Sequence, residues 1–263
     1  MEMRPRLFRR GRTDDQWLGA GPVTEAHLRH ALEHGQFIVH YQPIFVADGG
    51  ALAGLETLVR WQLPGGKLIS PVRFLAAAES TGMILPLGEF VLRTACAFVR
   101  RLQIERSQDL QISVNCSLRE LLDPELASKV RRALDDAGLE SQFLNVEVKE
   151  QVVAAQLDRA ADALSRVRTL GVSTLLDDFG VIPETLEHLR RLGVESVKVD
   201  LWAATRSEAA RALVLEAIRV ADSQRVYVVA KRVETLEEIE FFHTLRVEYV
   251  QGYAFGVPEP QVA

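Results

Sequence analysis

Two cysteines in 263 residues cannot build a disulfide framework. Cys96 and Cys116 also lack ligand-type spacing, so the chain reads as one for a reducing cytoplasm. No apolar run approaches the roughly 18 residues of a membrane span. No apolar segment follows the basic opening MEMRPRLFRRGR, which excludes a secretory signal. Glycine-rich turns of the GxGxxG or Walker type are missing, which argues against a doubly wound nucleotide-binding sheet. Internal repeats and low-complexity stretches are not evident. Positive charge is not in excess: 31 basic against 36 acidic residues give a net charge of −5. A dedicated DNA or RNA binder is thereby disfavoured.

What is there suffices for a core without metal or disulfide staples, since 48% of residues are hydrophobic and 25% charged. Residues 1–22, with five arginines against one glutamate in the first twelve, read as a linker arm with little order. Residues 23–263 read as one domain. There, short β-rich runs alternate with helical patterns. The strands expected are Gln36–Pro43, Leu52–Trp61, Gln111–Cys116, Leu144–Glu150, Ser173–Asp178, Ser196–Asp200, Arg225–Ala230 and Val247–Val250. Helices are expected over Pro71–Ser80, Leu87–Leu102, Pro124–Ala137, Gln151–Leu170, Pro183–Leu192, Glu208–Ala221 and Thr235–Leu245. Proline opens three of them, where its missing N–H is harmless, and Gly171 stops another.

This alternation predicts an α/β fold, a modified (β/α)8 barrel of the TIM type. The first two strands are separated by too few residues for a helix, so the first strand should run antiparallel. His27, His30 and His34 share one helix before that strand and read as a solvent-facing stripe. Cys116 reads as a structural thiol, and Leu201 and Trp202 as core or interface.

Barrel chemistry collects at the C-terminal ends of strands. Those ends carry Glu56, Asn115, Glu147, Asp177 with Asp178, Lys198 with Asp200, Lys231 and Gln251. Any single acid there could be a strand-end cap or half of a surface ion pair. The whole set of hard oxygen ligands on one rim points instead to a divalent cation bridging to phosphate oxygens.

The motifs YQPIF (Tyr41–Phe45), GLETLVRW (Gly54–Trp61), ISPVRFLAAAESTG (Ile69–Gly82) and SVNCS (Ser113–Ser117) occur in that order, followed by VEVKE (Val146–Glu150), DDFG (Asp177–Gly180), VKVD (Val197–Asp200), AKRVET (Ala230–Thr235) and QGYAFGVP (Gln251–Pro258). In identity and order the series resembles the EAL domain, a bacterial hydrolase and receptor fold for cyclic di-GMP. The resemblance implies that Glu56, Asn115, Glu147 and Asp177 hold a first metal, with Asp178 turned to a second. It implies a catalytic role for Lys198, the lysine that orients the attacking water, and for Glu234. Gln42, Arg60, Asp200 and Gln251 would hold the ligand. Family members cut one phosphodiester linkage to give linear pGpG.

Departures from the family pattern matter as much. Lys231 stands where the family has a glutamate implicated in the second metal site, and an ammonium cannot ligate a cation; it should instead lie within reach of Asp177 or Asp178 and form an internal ion pair. Arg232 replaces a glycine, Lys149 replaces a threonine, and the loop after DDFG reads VIPET (Val181–Thr185). That loop helps form the family's dimer face, so dimerisation there should be weakened. The expectation is a degenerate EAL domain that binds cyclic di-GMP or a protein partner with impaired or absent hydrolysis. Its cofactor would be Mg²⁺ or Mn²⁺ at one site with reduced affinity. Partners would include an upstream sensory domain or another protein, with no DNA. Two alternatives stay open: an active phosphodiesterase in which Lys231's charge substitutes for a metal, and an interaction module that no longer binds nucleotide.

Overall fold

The computed structural model describes residues 21–181, 185–200 and 207–260. The linker expected over residues 1–22 therefore lies almost wholly outside the described residues, as do Leu201, Trp202 and most of the VIPET loop. Two compact units are distinguished. One combines the described part of Met1–Ile38 with Arg60–Met83, and the other Val39–Val59 with the described part of Ile84–Ala263.

In the first unit, α1 (Glu25–Glu33) starts at a capping box: Thr24 accepts from the His27 backbone, and the His27 ring answers the Thr24 backbone N–H. His30 and His34 stack with ring centroids 3.8 Å apart, and His34 lies just past the helix end. A short strand, β3 (Leu68–Ile69), pairs antiparallel with Trp61 and Gln62. The following helix α2 (Pro71–Thr81) opens on proline and closes on Gly82 in left-handed conformation. Phe37, Trp61 and Phe74 fill this unit's core as an aromatic trio, with centroids 5.5–5.9 Å apart. The buried Trp61 indole donates to Gln36 Oε1 at 3.0 Å.

The strands of the second unit close into a barrel. Those strands are β1 (Phe37–Val46), β2 (Leu52–Gln62), β4 (Gln111–Asn115), β5 (Leu144–Lys149), β6 (Ser173–Asp177), β7 (Ser196–Asp200), β8 (Tyr227–Lys231) and β9 (Tyr249–Val250); β1 and β2 begin or end in the first unit. Their order is β1-β9-β8-β7-β6-β5-β4-β2, and a β1–β2 pairing completes the circle. The pairs from β2 through β4 to β9 are all parallel, while β1 lies antiparallel to β9. The reversed first strand is thus present as expected.

Around the barrel run α3 (Ile84–Arg106), α4 (Leu118–Leu121), α5 (Leu126–Ala137), α6 (Glu150–Ala154), α7 (Leu157–Arg168), α8 (Thr185–Leu192), α9 (Glu208–Ser223) and α10 (Leu236–His243). None of the helices among the described residues is long and apolar enough to cross a membrane. The single helix expected over Gln151–Leu170 is two, because Gln156 leaves the helical region at φ −141°, ψ 49°. No glycine or proline marks that break, so periodicity alone runs through it.

Period-two alternation explains what the barrel holds. In LNVEV and SVKVD the valines Val146, Val148, Val197 and Val199 belong to the apolar clusters outside the strands. Glu147 and Lys198, between them, consequently point to the opposite face, the barrel interior. Strand register then sets neighbours at the rim: Asn115 opposite Glu147, Lys149 opposite Asp177, and Asp200 opposite Lys231. The chain after β9 packs tightly there, since a Cβ on Gly252 would stand 2.1 Å from the Val233 carbonyl oxygen.

Candidate functional site

The interior of the rim is organised by one buried ammonium. Lys198, 1% exposed, lies 2.7 Å from Glu56 Oε2 and 2.7 Å from Glu147 Oε2. Glu56 also accepts from Asn115 Nδ2 at 2.9 Å and from Gln251 Nε2 at 2.7 Å. Gln251 donates in addition to Gln42 Oε1, whose own amide donates to the Gly256 carbonyl. Burial would raise the Glu56 carboxyl, but the Lys198 charge and these donors outweigh it and hold Glu56 at about 2. Glu147 goes the other way. Burial, reinforced by the charges of Glu56 and Asp177 against the opposing Lys198, pushes it up to about 8. Its Oε1 is buried and meets no donor.

Beside this lies a second cluster. Lys231 Nζ bonds both Asp177 Oδ1 and Asp178 Oδ1. Lys149 reaches Asp178 Oδ2 from β5 at 3.2 Å, so Asp178 is held between two lysines. Burial opposes its charge, yet the hydrogen bond and charge of Lys231, aided by Lys149, keep the Asp178 carboxyl below its ordinary value. Asp178 takes a left-handed φ of 54° and Arg232 one of 59°. Arg232 reaches Asp200 Oδ2 at 2.9 Å. The pocket over these residues is lined by Gln42, Glu56, Asp177, Lys231, Glu234 and Gln251.

The donor chemistry differs between the two clusters. Among the described residues no group of three or more histidine, cysteine, aspartate or glutamate side chains is preassembled around a metal position. Around Glu147 the buried, unmatched Oε1 is a hard oxygen of the kind a divalent cation takes, while the Glu56 oxygens already accept from Lys198, Asn115 and Gln251. At Asp177 and Asp178 the facing oxygens are taken by Lys231 and Lys149, and those residues do not fit a further cation.

One protein-family model, that of the EAL domain, matches residues 25–258. The chain belongs to the EAL domain family. It is 38% identical over 242 residues to the cyclic di-GMP phosphodiesterase NbdA of Pseudomonas aeruginosa, covering 91% of this chain and 31% of that protein. To the bifunctional diguanylate cyclase/cyclic di-GMP phosphodiesterase MucR of the same organism it is 34% identical over 236 residues, covering 89% of this chain and 34% of MucR. The chain thus spans about a third of the length of these curated relatives. Among solved structures, a PaMucR phosphodiesterase in complex with c-di-GMP superposes with TM-score 0.85 at 34% identity, covering 89% of this chain and 96% of that one. The FimX EAL domain of Pseudomonas aeruginosa bound to c-di-GMP, at 22% identity and TM-score 0.82 over 90% of this chain and 96% of that one, shares the fold.

In this EAL domain the rim gathers most residues the motifs single out. Arg60 belongs to the first unit, on β2, and is half-buried. Glu234 is exposed, and its backbone N–H donates to Glu238 Oε2 at 2.7 Å. Sequence reasoning did not foresee the pairing of Lys149 with Asp178, nor a buried contact between Glu150 and His188 at 3.0 Å. For the first, strand register offered the signal, since Lys149 ends β5 where Asp177 ends β6. For the second no local pattern exists.

The Glu147 shift makes a pH prediction for the EAL domain. A carboxyl raised from 4.5 to about 8 contributes stability fully present below its unfolded value, lost as pH rises through its folded value. Glu56, lowered from 4.5 to about 2, acts oppositely and loses its contribution only in strong acid. The melting midpoint in EDTA should therefore fall as pH rises from about 5 to 8, by roughly 2–4 °C per kcal/mol lost. Glu147→Gln should flatten the profile in that window. A midpoint equally pH-dependent in the variant would contradict this origin.

Proposed function

We propose that this EAL domain binds cyclic di-GMP at the barrel rim and hydrolyses it poorly or not at all. The observation that carries the reading is the Lys231 ammonium seated on both Asp177 and Asp178. It supplies positive charge beside a phosphate position but cannot accept a proton from water. Gln42 and Gln251, linked to each other and to Glu56, and the half-buried Asp200 would orient the nucleotide. One divalent cation, Mg²⁺ or Mn²⁺, would be held by Glu56, Asn115, Glu147 and Asp177, competing with Lys198 for the two glutamates. When bound, such an ion offers Lewis-acid contact to phosphate oxygens. Lys198 and Glu234 remain the nearest candidates for handling a proton or water.

A second reading has its own support. The relatives of highest quoted identity are named as phosphodiesterases, and fixed ammonium charge can stabilise a developing phosphorane without a metal. Titration of the purified protein with cyclic di-GMP, with and without Mg²⁺, followed by separation of the nucleotides, decides between them. Saturable binding with the ligand recovered intact is expected. Rapid release of linear pGpG would establish the active enzyme instead, and absence of binding would leave a protein-interaction module.

A further inference from the structure

Behind the Asp177–Asp178 turn lies a buried pair, Glu150 and His188, that does not line the rim pocket. Glu150, the first residue of α6 and 0% exposed, turns one carboxylate oxygen to each of two elements. Its Oε2 accepts the Gly180 backbone N–H at 2.9 Å, and its Oε1 faces His188 Nδ1 at 3.0 Å. His188, on α8, is itself 5% exposed. With a carboxylate opposite, Nδ1 is the nitrogen that carries the proton and donates it. The opposite side of the turn is fixed as well. A Cβ on Gly180 would stand 2.4 Å from the Ala217 Cβ of α9, so the turn already touches that helix. Phe179 N–H donates to the Lys198 carbonyl at 3.0 Å. Asp178, in its left-handed conformation, is thus presented by a backbone held at both following residues.

We infer that His188 is a positioning residue: through Glu150 it fixes the turn that presents Asp177 to the rim cation and Asp178 to Lys231. The physical reason is the double use of one carboxylate. A buried carboxylate needs donors on both oxygens, and each donor restrains where the group can sit. Remove the imidazole and the Glu150 side chain is free to rotate toward water, taking the Gly180 contact with it. Two purely apolar residues would fill the same volume without fixing the turn, so the polar pair is placed for geometry more than for packing. The inference rests on the rim being the ligand site, and it gives α8 a mechanical route to that rim.

Backbone hydrogen exchange and Mn²⁺ titration of the intact chain test this without requiring turnover. In His188→Leu, loss of a hydrogen bond to a charged group should speed exchange at the Gly180 amide about 10–100-fold. Amides inside β5 and β7 should keep their rates. Mn²⁺ and cyclic di-GMP affinities should fall by about 10–100-fold, the scale for a residue that orients ligating groups. His188→Asn, which keeps a donor near the Nδ1 position, should restore both. Glu150→Gln should reproduce the loss, and His188→Leu should add little in that background. If His188→Leu does not fold, His188→Gln fills the volume with a displaced donor and should behave as predicted for leucine. An unchanged Gly180 exchange rate in a folded leucine or glutamine variant overturns the inference. So does faster exchange with undiminished Mn²⁺ affinity. A wild-type protein that fails to bind cyclic di-GMP would refute the functional proposal alone, because Gly180 exchange is read without nucleotide.

Discussion

Lys198→Met is expected to destabilise the metal-free domain by about 3–5 kcal/mol, the cost of stranding buried partners of a removed charge. Both partners are glutamates 2.7 Å away, and the ammonium is almost wholly enclosed. Urea unfolding in EDTA at pH 8 is the measurement. The loss should shrink as pH falls, because the stranded carboxyls can take up protons, and Glu147 already does so near 8. Mn²⁺ should restore part of the stability, since a cation held by Glu56 and Glu147 replaces the missing charge. Lys198→Arg would not be a neutral control, because a planar guanidinium does not fit a site shaped for a point charge. A midpoint within error of wild type at pH 8 would show that the two glutamates are neutral there and Lys198 is dispensable.

The second large effect should follow from Lys231→Glu combined with Arg232→Gly. Lys231 holds Asp177 and Asp178 together, so its replacement by a carboxylate creates an excess of negative charge that a second divalent ion can relieve. The glycine substitution costs little in itself, since Arg232 has a left-handed φ of 59° that glycine adopts without strain. Native mass spectrometry in Mn²⁺ should show one more ion per chain than wild type. Hydrolysis of cyclic di-GMP should rise by about 10²–10⁴-fold, the usual worth of a general base. Recovery should be partial, because Lys149 still pairs with Asp178; adding Lys149→Thr should extend it. Were wild type to turn over substrate rapidly while the double variant stayed inert, Lys231 would be a working part of the site.

The two variants also show what the sequence could and could not reveal. Eight strands were legible because each is a β-branched, aliphatic or aromatic run, and several, such as QISVN, STLLD and SVKVD, close on a polar or charged residue. That closing residue is also why the rim acids were legible. The two-residue strand β3 was not, since its pairing with Trp61 and Gln62 leaves no periodic trace. The pairing of Lys198 with Glu56 escaped for a different reason. Glu56 and Lys198 lie 142 residues apart, and only barrel closure brings them together. Motif matching assigned Lys198 to water, whereas in the structure it is engaged by two glutamates; the pair that Lys231 forms with Asp177 and Asp178 is the one expected from its position in the family pattern.

The lysine on Asp177 and Asp178 differs from a bound ion in one further respect. A dissolved cation reaches its ligands with an occupancy set by its concentration, and a chelator can strip it. Lys231 belongs to β8, so its effective concentration at those two carboxylates is set by the chain and does not vary with the medium. That part of the rim therefore has no apo state. Its charge is delivered at folding, in fixed stoichiometry, and changes in cellular magnesium leave it as it is.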